Sequence, residues 1–148
     1  MLATRLLSNL GQSIWLDNIT RDLLDTGTLK RYIDEFSVTG LTSNPTIFER
    51  AIKQSSAYDL WIREGCSMGK SSEEISLDLA LEDISRTADP FRPVYERTNT
   101  VDGWVSLEVS PLLAYDTEGT LRAAKDLYAR TIEWKTKSLR GRTHDCHG

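Results

Sequence analysis

Three polar residues follow short runs that are rich in apolar or β-branched side chains. Asp17 follows residues 13–16, Asn44 follows residues 38–43, and Glu108 stands towards the end of a third such run. Each run predicts a buried strand that delivers a polar group at its carboxyl end. Parallel strands place their carboxyl ends together, so these side chains are expected to enter one shared cavity.

The residue types in this set are suited to moving protons on a hydroxyl-rich compound. Asp17 and Glu108 in one site of low dielectric constant can have different pKa values, so that one carboxyl holds a proton while the other releases one. Asn44 can donate and accept hydrogen bonds, and Thr42 and Ser43 add hydroxyl groups beside it. The set therefore indicates acid–base chemistry on a sugar or keto compound.

The elements that must position these residues alternate between strand and helix. A helix-like segment follows each of the three predicted strands, which is the pattern of a parallel α/β barrel with catalytic groups at the carboxyl ends of its strands. A complete barrel of eight units needs roughly 200 residues or more, and this chain has 148. The sequence thus predicts an α/β fold that is a partial (β/α)8 TIM barrel, made of the first three βα units and truncated before strand four.

The helix boundaries follow from caps and breakers. Ser71 and Glu74 have the spacing of a capping box at the start of a long helix. Asp89 and Pro90 are expected to interrupt that helix, because the residue before a proline disfavours the helical backbone conformation. Helices or helical turns are expected at residues 1–11, 20–26, 29–36, 46–52, 57–64, 71–88, 93–97 and 118–130.

Each candidate residue also has a purely structural interpretation. Asp17 can act as the cap of the following helix, and an asparagine before Pro45 is a common turn residue. Glu108 lies between Leu107 and Val109 in an apolar run. Because a buried glutamate is rarely left without a partner or a role, the structural interpretation is weakest there.

Composition and charge exclude several classes of function. The formal net charge of −4 gives no basic surface for nucleic acid, and no run approaches the ~20 apolar residues of a membrane span. Cys66 and Cys146 form no disulfide framework, which favours a reducing, cytoplasmic location. His144 and His147 belong to a crowded tetrapeptide without a second half-site, so no metal is predicted. The sequence also contains no GxGxxG or P-loop motif, so no nucleotide cofactor is predicted.

Three stretches together resemble one enzyme family. SIWLDNI at residues 13–19, VTGLTSNPTIFERAI at residues 38–52 and DGWVSLEVSPLLAYDTEGTLRAAKDL at residues 102–127 are similar to transaldolases of the bacterial type, including the transaldolase part of fusions with glucose-6-phosphate isomerase. The resemblance implies a cytoplasmic, cofactor-free transferase of the pentose phosphate pathway. Such an enzyme moves a dihydroxyacetone unit between sugar phosphates through a Schiff base on a strand-four lysine.

The resemblance also implies a role for each candidate residue. Asp17 matches the acid–base group that assists carbon–carbon cleavage, and Glu108 matches the glutamate that acts through a water molecule during Schiff-base formation. Asn44 matches the asparagine that holds the hydroxyl groups of dihydroxyacetone, with Thr42 and Ser43 as neighbouring substrate contacts.

The sequence departs from the family pattern after Arg130. Where the family has a strand with a lysine followed by Ile-Pro, this chain has Lys135 and Lys137 without either feature. We therefore predict a barrel-like part at residues 1–130, a divergent and disordered tail at residues 131–148 that arose by frameshift or truncation, and no Schiff-base lysine. As an isolated chain it is expected to be inactive.

Several other functions stay open at this stage. The chain is a candidate subunit of a split enzyme that a second polypeptide completes, or a non-catalytic fragment that binds sugars. Another Schiff-base aldolase of the same fold is a further possibility. Self-association is also expected, since three parallel strands leave two sheet edges and one sheet face uncovered.

Overall fold

The structure is a computed structural model that describes the backbone of residues 2–144 and the side chains of residues 2–133. The chain divides between Glu108 and Val109 into two compact units. The elements of the first unit, in chain order, are α1 (Ala3–Asn9), β1 (Trp15–Asp17), α2 (Arg21–Asp25), α3 (Thr28–Phe36), β2 (Gly40–Ser43), α4 (Pro45–Gln54), α5 (Asp59–Ser67), α6 (Ser72–Arg97) and β3 (Trp104–Leu107). The second unit contains α7 (Thr117–His144).

The three strands form one parallel sheet in the order β1-β2-β3, which confirms the predicted partial barrel. Helices or helical turns connect consecutive strands, as parallel pairing requires. The central strand β2 is largely buried, whereas β1 and β3 are only partly covered. Among the described residues, no strand pairs with the outer edge of β1 or of β3.

One face of the sheet packs against the helices. Leu16, Leu41 and Val105 are aligned across the three strands, and they belong to a core that also contains Phe91 and Val94 of α6. Because side chains alternate along a strand, the neighbouring residues point to the opposite face. The helices therefore cover one face, and the candidate residues Asp17 and Thr42 lie on the other.

Local signals in the sequence placed most helix starts correctly. The Ser71 hydroxyl accepts a hydrogen bond from the Glu74 backbone N–H, and the Glu74 carboxylate accepts one from the Ser71 N–H, so the predicted capping box is present. Gly27, with a φ of 71°, separates α2 from α3 at the predicted break. The left-handed conformation at this position favours glycine.

The predicted interruption of the long helix at Asp89 and Pro90 is wrong. Helix α6 runs without a break through Pro90 and Pro93. The side chains of Phe91 and Val94 on the same stretch are fully buried. Each buried side chain of this size contributes about 1.5–3 kcal/mol, which offsets the cost of a proline within the helix, about 3 kcal/mol. Packing against the sheet therefore overrides the local preference.

Helix α7 begins one residue before its predicted start and extends beyond its predicted end. The Asp116 carboxylate accepts a hydrogen bond of 2.8 Å from the Gly119 N–H, and the helix continues past Arg130 to His144. Residues 131–144 contain no proline and several good helix formers, which permits this continuation. The domain limits and the tail predicted after residue 130 stay predictions.

Candidate functional site

Strand register places three polar side chains in one row across the sheet. Asp17 of β1 pairs with Thr42 of β2, and Thr42 pairs with Ser106 of β3. All three point to the face that is not packed against helices, because the adjacent row of Leu16, Leu41 and Val105 points into the core. The row therefore brings two of the predicted site residues together with Ser106.

Ser106 is a residue that sequence reasoning missed as a member of the site. It stands two positions before Glu108, which is the spacing of residues on one face of a strand. That spacing was a usable signal, but only pairing with Thr42 places Ser106 in line with Asp17.

Glu108 lies one residue beyond β3 and reaches back to the same row. The Thr42 hydroxyl is 3.5 Å from Oε1 of Glu108 and donates towards it, and the Glu108 backbone N–H donates to the Ser43 carbonyl at 3.2 Å. The glutamate side chain is exposed, so the prediction of a buried glutamate is wrong. Glu108 follows an outer strand and extends from the uncovered face, where its flanking apolar residues cannot enclose it.

Asn44 has a structural task as well as a place beside the site. Its Oδ1 accepts a hydrogen bond of 3.0 Å from the Ile47 backbone N–H, and the residue is the N-cap of α4 with Pro45 at the first helical position. This arrangement agrees with the structural interpretation of an asparagine before proline. The amide NH2 group makes no hydrogen bond to the described residues and is available to a ligand.

Ser43 points in the opposite direction from Thr42. Its side chain is fully buried, and its hydroxyl donates a hydrogen bond of 3.2 Å to the Ser106 carbonyl. In this position the hydroxyl joins β2 to β3 near their carboxyl ends. Its predicted contact with substrate stays a prediction.

Asp17 is not the cap of the following helix. Thr20 has that role, because its hydroxyl accepts a hydrogen bond of 3.1 Å from the Leu23 N–H. The Asp17 side chain is exposed at the end of β1 and makes no hydrogen bond to the described residues. The structural interpretation of Asp17 as a cap is therefore wrong, and its carboxylate is available for chemistry.

Two tryptophans lie in the next row of the same face, towards the amino ends of the strands. Trp15 of β1 and Trp104 of β3 pair with Gly40 of β2 on either side. A Cβ atom on Gly40 would lie 2.5 Å from Cε2 of Trp15, so the indole lies over the glycine. The tryptophans are 43% and 49% exposed, which leaves a large apolar surface beside the polar row.

A buried charged cluster between α2 and α6 was also missed by sequence reasoning. The Arg21 side chain is 4% exposed and pairs with Glu82 through Nη2–Oε2 at 2.5 Å and with Asp83 through Nε–Oδ1 at 3.1 Å. The Tyr58 hydroxyl donates a hydrogen bond of 2.7 Å to Asp83, and its ring lies 4.6 Å from the guanidinium carbon. The available signal was that Glu82 and Asp83 interrupt an apolar stretch between Leu79 and Ile84.

Burial is the main cause of the raised pKa values in this cluster. Removal from water raises the pKa of Asp83, although hydrogen bonding from Tyr58 and the positive charge of Arg21 oppose the shift. Burial raises the pKa of Glu82 for the same reason, and again Arg21 opposes it. Burial and the neighbouring Asp83 raise the pKa of the Tyr58 hydroxyl. These side chains connect the start of α2 to the middle of α6.

Some predicted features lie outside the side chains that the structure describes. They are Lys135, Lys137 and the tetrapeptide from His144 to His147. Among the described residues, no group of three or more His, Cys, Asp or Glu side chains is arranged to hold a metal ion. No helix in that part of the chain combines the length and apolar character needed to cross a membrane.

Comparison with known proteins assigns this arrangement to a family. The family model of transaldolase and fructose-6-phosphate aldolase matches residues 14–137. The chain belongs to this family. The transaldolase/fructose-6-phosphate aldolase match includes all three strands and all the candidate residues, and it extends seven residues past Arg130, the last residue of the predicted barrel-like part.

Individual transaldolases give the same result. The chain is 45% identical to the transaldolase of Trichodesmium erythraeum over 122 residues, which are 82% of this chain and 32% of that protein. It is 45% identical to the transaldolase of Arthrobacter over 86% of this chain and 34% of that protein. It is 47% identical to the transaldolase of Thermobifida fusca over 82% of this chain and 33% of that protein. The chain thus spans about a third of the length of these relatives.

Proposed function

We propose that this chain carries the dihydroxyacetone-binding and proton-transfer part of a transaldolase site, and that the site needs a Schiff-base lysine from a further segment. The reaction is the transfer of a dihydroxyacetone unit between sugar phosphates in the cytoplasmic pentose phosphate pathway. The observation that carries the proposal is the polar row Asp17, Thr42 and Ser106, with Glu108 attached to it through Thr42. Membership of the family supports the same reaction.

Each residue has a proposed step in this chemistry. Attack of a lysine amine on the ketose carbonyl must expel water to form the Schiff base, and Glu108 assists the proton transfers through a bound water molecule. Its exposed position leaves room for that water. Asp17 takes the hydroxyl proton when the carbon–carbon bond breaks. The free amide group of Asn44 and the Thr42 hydroxyl hold the dihydroxyacetone hydroxyls.

The lysine is the group that this chain is not proposed to supply. A catalytic amine must be unprotonated near neutral pH, and burial in an apolar site is what lowers the pKa of a lysine sufficiently. Lys135 and Lys137 lack the apolar strand and the Ile-Pro that mark the family's lysine. We therefore expect the chain alone to form no covalent intermediate.

Borohydride trapping with fructose 6-phosphate tests this proposal. Borohydride reduces a Schiff base to a stable secondary amine, which mass spectrometry locates. We expect no adduct on the chain alone, and an adduct when the unmatched part of the Trichodesmium erythraeum transaldolase is added, on a lysine of that added part. An adduct on Lys135 or Lys137 would contradict the proposal.

Variants in the mixed system separate the proposed roles. Glu108→Gln is expected to slow adduct formation about 10²–10⁴-fold, whereas Asp17→Asn is expected to leave the adduct in place and slow carbon–carbon cleavage by a similar factor. Glu96→Gln and Asp22→Asn, both exposed positions on helices, are the matched controls. Equal effects of test and control variants would contradict the assignment.

The same experiment discriminates the two remaining functions. Restored trapping with a second polypeptide supports a subunit of a split enzyme. If trapping fails in the mixture while fructose 6-phosphate still binds the chain at Asn44, the chain acts as a sugar-binding fragment without catalysis.

A further inference from the structure

A cavity of about 600 Å³ lies at the opposite end of the strands from the candidate site. Its lining includes Arg5, Ser8, Asn9, Ser37 and Arg97. Ser37 precedes β2, whereas Asn44 follows it, and four residues of strand separate the two ends by about 13 Å. The cavity is therefore distinct from the polar row, and its volume is in the range of small-molecule sites, about 300–1,000 Å³.

Arg5 presents a guanidinium whose orientation is already fixed. Its Nε donates to the Glu35 carbonyl at 2.9 Å and its Nη2 donates to the Asp34 carbonyl at 3.1 Å. Both carbonyls belong to the last turn of α3, which otherwise has no partner for them. The Nη1 group makes no hydrogen bond to the described residues. A planar, preorganised guanidinium with unused N–H groups is suited to an oxyanion.

Other polar groups of the cavity are also without protein partners. Arg97, the last residue of α6, forms no ion pair or side-chain hydrogen bond with any described residue. The same is true of the side chains of Ser8, Asn9 and Ser37. Positive charges are stabilised near the carboxyl ends of helices, which explains why Arg5 and Arg97 are placed there. That effect does not explain why hydroxyl and amide groups without protein partners line the same cavity.

The charges of the cavity favour an anion. Two arginines face one lining carboxylate, Asp34, whose Oδ2 is paired with Lys30 Nζ at 2.7 Å. This local excess of positive charge contrasts with a chain of formal net charge −4. Two guanidiniums can bind the oxygens of a phosphate group, and the neighbouring serine hydroxyls and asparagine amide can bind hydroxyl groups.

We propose that this cavity, lined by Arg5, Arg97, Ser8, Asn9 and Ser37, is a second ligand site that binds the phosphate of a small phosphorylated polyol. Its position at the amino ends of the strands makes it independent of the transaldolase chemistry at the carboxyl ends. The ligand class is defined by the phosphate, and the hydroxyl groups of the ligand add hydrogen bonds to the serines and the asparagine.

Calorimetric titration of the full chain with fructose 6-phosphate, inorganic phosphate and fructose tests the site. We expect fructose 6-phosphate to bind, inorganic phosphate to compete with it, and fructose not to compete. Arg97→Gln removes a guanidinium without protein partners and is expected to weaken binding about tenfold. The matched control is Arg92→Gln, an exposed arginine of the same helix outside the cavity, which is expected to have no effect.

Several outcomes would overturn the proposal. These are the absence of binding, equal effects of Arg97→Gln and Arg92→Gln, equal binding of fructose, and binding that Glu108→Gln abolishes while Arg97→Gln does not. Amide chemical shifts of the unsubstituted chain give an independent result. On titration with fructose 6-phosphate, the backbone amide signals of Ser8, Asn9 and Ser37 should shift with the same dissociation constant as the binding that Arg97→Gln weakens. Unchanged chemical shifts at these residues would refute the site.

Discussion

At the scale of single residues, Gly40 shows how a missing side chain shapes the candidate site. Glycine is disfavoured in strands, yet here it lies at the centre of the sheet between Trp15 and Trp104. The indole of Trp15 occupies the space that a Cβ atom would need. Gly40 thus permits the Trp15 indole to lie over the central strand, in the row next to the polar side chains.

Substitution of Gly40 by alanine is expected to destabilise the chain by about 1–3 kcal/mol, because the new methyl group overlaps the Trp15 ring. Urea unfolding followed by tryptophan fluorescence measures the effect. In the background of Trp15→Ala the same substitution should cost much less, since the overlap is removed. An equal cost in both backgrounds would show that the indole is not the cause.

Arg21 is the cation of the buried charged cluster. Replacement of Arg21 by methionine leaves Glu82 and Asp83 without their cation in a buried site, and we expect a loss of about 3–5 kcal/mol at pH 7. Urea unfolding measures the loss. Arg63→Met, at an exposed position of α5, is the control and should change stability by less than about 0.5 kcal/mol.

The Arg21→Met deficit is expected to depend on pH. Burial raises the folded-state pKa of Asp83 and Glu82, so protonation favours the folded state. Their contribution to stability rises as the pH falls through their raised folded-state pKa values. It levels off below their pKa values in the unfolded chain, which are about 4. The variant loses the opposing cation, so its deficit should shrink as pH falls from 7 towards 4. A deficit that grows on acidification would contradict this account.

At the scale of elements, α6 determines where the first unit places its core. It is 26 residues long, and its buried side chains contact both the sheet and the cluster around Tyr58. Its N-terminus is specified locally by the Ser71 capping box. Its continuation through two prolines is specified by packing, which no local pattern indicated.

Replacement of Pro90 by alanine is expected to stabilise the chain by about 1–2 kcal/mol. The alanine restores a backbone N–H within an existing helix, and the greater freedom of the unfolded chain offsets part of the gain. Urea unfolding and far-UV circular dichroism measure the change. Pro111→Ala, at the first position of a short 3-10 turn, should give no gain. A loss of stability on Pro90→Ala would indicate that the proline ring itself packs usefully.

At the scale of the whole molecule, the uncovered face and edges of the sheet are expected to cause self-association. Trp15 and Trp104 are about half exposed, and the outer edges of β1 and β3 have no strand partner among the described residues. Unpaired strand edges are templates for association with another chain. The expected self-association follows from these features of the first unit.

We expect light scattering to increase with protein concentration in the micromolar range, and Trp104→Lys to reduce it severalfold. A lysine on an outer strand opposes edge-to-edge pairing. Leu60→Lys, which introduces the same charge at an exposed apolar residue of α5, is the matched control. Concentration-independent scattering of the unsubstituted chain, or equal effects of the two variants, would contradict association through the sheet.

The sequence by itself determined the features that depend on neighbouring residues. Spacing within a few positions predicted the order of strands and helices, the capping box at Ser71 and the break at Gly27. It also predicted that Asp17 and Asn44 lie at strand ends. Hydrogen bonds and periodicity at this range are contained in the local sequence, and the predicted fold class followed from them.

The face of the sheet on which each residue lies, and the groups that it contacts there, depend on how distant segments pack together. Register placed Ser106 in line with Asp17 and Thr42, and turned Ser43 inwards. Glu108 is exposed because it lies on the face of the sheet that no helix covers. Packing of Phe91 and Val94 keeps α6 helical through Pro90. The contact between Arg21 and Asp83 joins residues 62 positions apart. Such contacts depend on surfaces that exist only after distant segments have met, so local spacing cannot specify them.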